Sequence, residues 1–322
     1  MKAVLGLDTS NYRTSAALAA LDGTVLLNER ELLPVEMGKR GLRQSDAVYA
    51  HLKQLKPMTE KIREASASGV QLAAVCASVR PRDREDSYMP VFEVGDTLGR
   101  AIAAAEGIPF FPTDHQQGHL RAAAHGTPME REERYLALHL SGGTTDLLLR
   151  EPTGVTELGT SLDLHAGQLI DRVGVALGCA FPAGPQMECL ARQARSEGRL
   201  GCAMEDHDLS CHLSGAEAQA MRWIREGQLS PGQIAREVFD LLARTVCRML
   251  LAGSKSRQVS QALVCGGVAS SVLFREMLMA RMAKKPAGLR ICFGEAELSG
   301  DNAVGVALIG LDRLRKMKER SN

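Results

Sequence analysis

Leu136-Ala137-Leu138-His139-Leu140-Ser141-Gly142-Gly143-Thr144-Thr145-Asp146-Leu147-Leu148-Leu149 carries an apolar run into a polar, glycine-bearing turn and out into a second apolar run. Short apolar runs bounded by turn residues read as buried strands. A further turn follows at Pro152 to Gly154. The start of the chain has the same pattern: Ala3 to Leu7 is a strand, Asp8 to Arg13 a polar turn, and Thr14 to Leu21 a second strand. Asp22-Gly23 then makes a hairpin turn into Thr24 to Leu33. Two such strand-turn-strand units, far apart in the chain, predict a duplicated α/β fold with two similar lobes.

Working outward, Ser45 to Ser66 and the small-residue stretch Asp96 to Glu106 read as helices, with Leu72 to Ala77 a buried strand between them. Pro109 to Pro112 closes the first unit, so the lobes are expected at 1–112 and 113–322. Helices are expected at Gly167 to Leu177, Gln186 to Ser196, Ser214 to Glu226, Pro231 to Ala252 and Ser270 to Ala283. Ala262 to Cys265 and Leu289 to Phe293 are the remaining strands. Asp301 to Lys318 is a closing helix with cations at its C-terminal end, where the helix dipole favours them; it is free to pack back on the first lobe.

Composition removes several classes of function. The 322 residues are 45% hydrophobic and 24% charged, ample for packed cores. Lys plus Arg number 39 and Asp plus Glu 38, so a net charge of +1 gives no global attraction to nucleic acid or anionic membrane. Aromatic residues, at 4%, are too few for a base-stacking platform. No apolar run is long enough to cross a bilayer, and Ala3 to Leu7 is too short for a signal-peptide core. The eight cysteines are scattered without a C-x-x-C pair, which reads as reduced thiols of a cytoplasmic protein.

His115-Gln116-Gln117-Gly118-His119 is the sharpest short motif. Histidines at i and i+4 present both rings on one helix face, a metal-ligand spacing. Gln116 stands where a zinc protease needs its general-base glutamate, so that chemistry is excluded. Two ligands are too few, and Asp301 in Ser299-Gly300-Asp301-Asn302 is the candidate third. The alternative is a surface pair of histidines, with Asp301 capping the last helix. Asp8-Thr9-Ser10, Ser141-Gly142-Gly143-Thr144-Thr145 and Cys265-Gly266-Gly267-Val268 are strand-end turns whose N–H groups could cradle phosphate, or plain turns. The chain carries no G-x-x-x-x-G-K-S/T, no full G-x-G-x-x-G and no G-x-S-x-G.

In this order the pieces resemble the TsaD family, which makes threonylcarbamoyladenosine in tRNA and was formerly called O-sialoglycoprotein endopeptidase. That family lies within the actin, heat-shock protein 70 and sugar kinase (ASKHA) superfamily. Asp8-Thr9-Ser10 answers its E-T-S turn, His115 to His119 its H-x-E-G-H, and Ser141 to Thr145 its S-G-G-H-T. Asp163-Leu164-His165-Ala166-Gly167-Gln168-Leu169-Ile170-Asp171 is similar to D-D-A-A-G-E-x-x-D, and Phe181 to Pro185 to Y-P-G-G-P. Gly266-Gly267-Val268 and Gly300-Asp301-Asn302 answer the G-G-V and T-D-N turns. The departures are those of a divergent paralogue. Arg80 to Asp86 replaces a G-P-G loop, Thr144 a His, Gln168 a Glu, and Ser271 a nucleotide-contacting Asn.

The resemblance implies a two-lobed, duplicated actin-like ATPase (ribonuclease H-like) α/β fold with its active site in the interlobe cleft. It implies an acyltransferase that moves threonylcarbamoyl from its AMP anhydride to the adenosine beside the tRNA anticodon. His115, His119 and Asp301 would hold one Fe²⁺ or Zn²⁺ per subunit. The ligand would be an adenine nucleotide or acyl-adenylate, with Mg²⁺ as a further candidate ion. Ser141, Gly142 and Gly143 would hold the phosphate or acyl group, Asp171 and Gly184 the ribose, and Gly266, Gly267 and Ser271 the adenosine side. Asp8 would orient a metal-bound water or serve as a turn former. No catalytic side chain beyond the metal ligands is assigned. Implied partners are tRNA and smaller proteins of the modification complex, including an inactive homologue that pairs lobe to lobe. The tRNA would meet Lys39-Arg40 with Arg43, or Arg80, Arg82 and Arg84, or Arg313, Arg315, Lys316, Lys318 and Arg320. Interspersed acids favour solvated faces over a phosphate track. The alternatives are a paralogue acylating or carbamoylating another acceptor and a non-catalytic nucleotide-binding partner.

Overall fold

The computed structural model describes residues 1–10, 13–34, 42–84, 86–285, 288–298 and 300–320. It divides the chain into two compact units, Met1–His125 with Gly300–Asn322, and Gly126–Ser299. The first opens with β1 (Lys2–Ser10), β2 (Arg13–Ala20) and β3 (Val25–Leu32), followed by α1 (Gln44–Ala67), β4 (Gln71–Ser78), α2 (Phe92–Glu106), β5 (Phe110–Thr113) and α3 (His115–Ala124). Its sheet has the order β3-β2-β1-β4-β5: β1 to β3 are an antiparallel meander, and β4 and β5 add in parallel. After Lys2, β1 is buried residue by residue, as expected of a strand covered on both faces. Leu5, Leu7, Leu18, Leu55, Met58 and Val75 build the core on one of those faces.

The second unit contains β6 (Tyr135–Leu140), β7 (Thr145–Glu151), β8 (Gly154–Thr160), α4 (Ala166–Ala176), α5 (Gly184–Arg192) and the small hairpin of β9 (Ala203–Glu205) and β10 (Ser210–His212). Then come α6 (Ser214–Glu226), α7 (Pro231–Arg257), β11 (Gln261–Cys265), α8 (Val272–Met282) and β12 (Arg290–Phe293). Its sheet runs β8-β7-β6-β11-β12, the same order and the same mixture of antiparallel and parallel pairs as the first. The duplication expected from the two strand-turn-strand units is therefore complete at the level of topology.

The closing helix α9 (Val304–Glu319) returns to the first unit and packs on β1 and β4. It also crosses α3 at glycines. A Cβ on Gly305 would lie 1.9 Å from the Gly118 carbonyl oxygen, and one on Gly118 would lie 3.0 Å from a Val306 methyl. This crossing moves the expected boundary. The break falls after His125 rather than after residue 112, so α3 and its histidines belong to the first unit and not the second. Two further differences concern edges: β5 and β8 are strands where only a terminating segment and a turn were expected. Both lie at sheet edges, where Pro112 removes no ladder hydrogen bond from a neighbour on its far side. Among the described residues no helix is long and apolar enough to cross a membrane, and all eight cysteines are free thiols.

Candidate metal centre and nucleotide cavity

The α3 start is built to hold two rings in place. Asp114 is its N-cap, accepting from the Gln117 N–H at 2.8 Å. The next donors, the N–H groups of His115 and Gln116, are satisfied by the Arg80 and Pro81 carbonyls at 3.0 and 3.1 Å. His115 and His119 then stand one turn apart, with their Nε2 atoms 2.9 Å from each other. Asp301, in the loop that feeds α9, brings Oδ1 to 3.1 Å from His119 Nε2 and 3.7 Å from His115 Nε2. One donor atom from each of the three residues lies within 4.8 Å of the others.

A second layer orients these groups. The far nitrogen of His115, Nδ1, lies 2.8 Å from Asp8 Oδ2, and the Ser78 hydroxyl donates to the other Asp8 oxygen. Because a carboxylate only accepts, Nδ1 carries a proton, so the proton an incoming ion displaces is the one on Nε2, whose lone pair then faces the centre. Asp8 thus meets the candidate centre through the back of His115. Arg13 Nη1 donates to the Asp301 carbonyl at 3.3 Å, and Asn302 bridges the Gly300 carbonyl and the Val304 N–H at 2.7 and 3.0 Å. The N-cap of α9 is Ala303, so Asp301 is not its cap; nor are the histidines a surface pair, at 20% and 11% side-chain exposure.

Burial alone would lower the His115 pKa. The charge and hydrogen bond of Asp8, with the charges of Asp301 and Asp114, outweigh it and push it up to about 9. For Asp301 burial opposes ionisation, and the hydrogen bond and charge of His119, with the charges of His115 and Arg13, hold the carboxyl well below the usual carboxylate range. Two imidazole nitrogens and one carboxylate oxygen within 4.8 Å of one another, with a carboxylate behind one ring, fit a divalent transition metal that displaces the ring protons on binding and keeps coordination positions to spare.

The second unit holds a cavity of about 440 Å³. One wall is the turn after β6: Ser141 and Gly142, with the Gly143 N–H folded back onto the Ser141 hydroxyl at 3.2 Å. The start of α4 abuts this turn, and a Cβ on Gly167 would lie 2.6 Å from the Gly142 nitrogen. Opposite stand Asp171, Gly184, Gly267 and Ser271. One Asp171 oxygen accepts from the Ala183 N–H at 2.8 Å, which fixes the loop leading to Gly184. Ser271 caps α8 through the Phe274 N–H at 3.2 Å. Gly143, Gly266 and Asp8 are not in this wall. Gly266 is a turn former at φ +97°, and a Cβ there would strike the Leu140 carbonyl at 2.2 Å.

Glu188 escaped the sequence reading yet lines the cavity. It accepts from the Leu273 N–H and from Arg192, both at 2.9 Å. Burial raises its pKa, but the Ser271 hydroxyl, the Leu273 N–H and Arg192 together lower it. Its only sequence signal is its place one turn after Gly184 in α5. Three members of the expected basic clusters are tied to the fold: Arg80 pairs with Asp83, Arg313 donates to the Pro112 carbonyl, and Arg315 to the Leu21 carbonyl at 2.5 Å. Lys39, Arg40, Glu85 and Ser299 lie outside the described residues.

The family model for TsaD, tRNA N6-adenosine threonylcarbamoyltransferase, matches residues 36–308. The chain belongs to the TsaD family. A TsaD protein of Synechococcus sp. (strain CC9902), named tRNA N6-adenosine threonylcarbamoyltransferase, is 30% identical, covering 98% of this chain and 92% of its own. The membership places the chain among transferases. Solved structures with the same fold include full-length HypF in its phosphate- and nucleotide-bound form, with a TM-score of 0.62 at 11% identity over 97% of this chain and 46% of that longer one. The ROK hexokinase of Thermus thermophilus follows at a TM-score of 0.53 and 18% identity, over 98% and 99% of the two chains. The fold is therefore that of the actin-like ATPases and sugar kinases.

Against the TsaD pattern, one departure is structurally silent. Gln168 accepts from the His165 N–H at 3.2 Å, the reciprocal half of a capping box that Glu or Gln serves equally. Asp163 likewise supports the backbone, accepting from the Leu164 and Leu213 N–H groups at 2.6 and 2.8 Å.

Proposed function

We propose that this chain transfers a threonylcarbamoyl group from threonylcarbamoyl-AMP to N6 of the adenosine beside a tRNA anticodon, with a metal held by His115, His119 and Asp301. The observation that carries it is the convergence of those three donors, with Asp8 fixing the tautomer of His115. Imidazole and carboxylate ligands suit Fe²⁺ and Zn²⁺ alike. When bound, the ion supplies Lewis acidity toward the acyl carbonyl. In the second unit, the Ser141 to Gly143 turn would face the phosphate, backed by the positive end of the α4 dipole, whose Ala166 and Gly167 N–H groups are themselves held by Thr145 Oγ1 and the Ser141 carbonyl at 2.8 and 3.0 Å. Asp171 and Glu188 are placed to accept from ribose hydroxyls, and Gly184 and Gly267 leave room for the nucleoside. The adenosine amine attacks the carbamoyl carbon, the new C–N bond forms as the bond to the phosphate oxygen breaks, AMP departs, and the amine proton passes to water.

The test is to incubate the metal-loaded protein with unmodified tRNA, labelled threonine, bicarbonate, ATP and an enzyme that makes the adenylate, and to seek labelled, modified adenosine by mass spectrometry. Its appearance supports the reading. Bound adenylate without modified tRNA supports the second reading, a TsaD paralogue with another acceptor. Arg80 to Asp86 favours that second reading, since this stretch replaces the family loop and reaches the start of α3 through the Arg80 and Pro81 carbonyls. Absence of any adenylate binding would leave a non-catalytic partner.

A further inference from the structure

The second unit has another concavity, of about 720 Å³, that the nucleotide reading does not use. Its floor is one helical row on α7: Arg236, Asp240, Arg244 and Arg248 recur every four residues and so lie on one face. Arg281 from the end of α8 faces that row, with Lys284 and Lys285 in the turn that follows. Six cations thus surround one carboxylate. Asp240 is shared by Arg244, at 2.8 Å, and Arg281, while Arg248 is paired with Asp208 at 2.7 Å. Among the described residues Arg236, Lys284 and Lys285 have no ion pair, and the Arg236 Nε is buried without a hydrogen-bond partner. Glu237, the next carboxylate along α7, is turned away and accepts the N–H groups of Glu197, Gly198, Arg199 and Leu200.

A buried guanidinium nitrogen with no partner costs free energy unless something fills it. A concave surface with several unpaired cations matches an anion presenting several oxygens at once. We infer that this α7/α8 cleft is a second anion site, which takes the phosphoryl groups of an RNA backbone. It rests on the proposed tRNA substrate for the source of those groups and would give the register in which the RNA is held. Phosphate contacts of this kind position a nucleic acid without reading its sequence, and they make affinity steeply salt-dependent.

The test uses the full chain and two probes, unmodified bulk tRNA and inorganic tripolyphosphate. Arg236→Gln with Lys284→Glu and Lys285→Glu is compared with wild type, and the exposed pair Lys284→Glu and Lys285→Glu alone guards against a folding defect. The expected result is a loss of at least about tenfold in tRNA affinity, with the slope of log Kd against log salt shallower by about 2–3, near one per cation removed. Binding of an ATP analogue in the other cavity stays unchanged. Loss of tripolyphosphate binding with tRNA affinity intact would overturn the RNA source in favour of a free polyphosphate. No change with either probe would overturn the site. Failure of the transferase reading is distinct: tRNA would bind, in a manner sensitive to these variants, yet carry no modification.

Discussion

Asp8 is the residue on which the proposed metal centre would depend without touching the ion position. Its hydrogen bond sets which nitrogen of His115 is protonated, and partners of this kind typically change metal affinity by roughly 10–100-fold. Asp8→Asn keeps the shape and removes the charge, so divalent-ion affinity, read by competition with a chromophoric chelator, should fall by about that factor while the thermal midpoint moves little. An unchanged affinity would remove Asp8 from the centre. Gln168→Ala tests the opposite kind of residue. It should cost about 0.5–1 kcal/mol in denaturant unfolding through the lost α4 cap and leave the ion site alone; a loss of ion binding would show that its role is not structural.

The α3/α9 crossing holds in register the two segments that carry the proposed ligands. Gly305→Ala places a methyl against the Gly118 carbonyl and forces the helices apart. Overpacking costs typically 1–3 kcal/mol. We expect a lower melting temperature and loss of the bound ion together; melting and metal content both at wild-type level would contradict the crossing. The α1/β2 contact carries a pH signature. His51 is fully buried, donating from Nδ1 to Thr14 at 2.7 Å while Thr14 donates to Gln54 at 2.5 Å. Burial, opposed only by the Asp8 charge and a Ser10 backbone bond, lowers its pKa to about 4. The unfolded chain takes up this proton near pH 6.5 and the folded one not until about pH 4, so the contribution is complete above pH 6.5 and declines as pH falls between those values. The full loss is at most about 3 kcal/mol. His51→Gln should flatten the decline measured by chemical denaturation from pH 7 to 5; an equally steep decline in the variant would assign it elsewhere.

Across the whole molecule, what the sequence made legible follows burial. The two meanders could be read because β1, β2, β6 and β7 are nearly continuous apolar runs broken by polar turns. β5 and β8 could not, since edge strands are half exposed and Pro112 argues locally against a strand. The histidine pair was legible from its spacing, and Asp301 from the need for a third donor, a choice the family resemblance then repeated. The glycine crossing that joins α3 to α9 has no local signature, and neither has the α7/α8 cation cleft, whose members are contributed by two separate helices and a turn. If the proposed centre is right, His115 and His119, with Asp301 far along the chain, form one ion site. Metal content by plasma mass spectrometry, on protein loaded with Fe²⁺ or Zn²⁺ and desalted, tests it most directly. The expected result is one ion per chain in wild type and close to none in His115→Ala, His119→Ala and Asp301→Ala, each still folded by circular dichroism. Retention of the ion by Asp301→Ala, or a folded wild type that binds none, would contradict it.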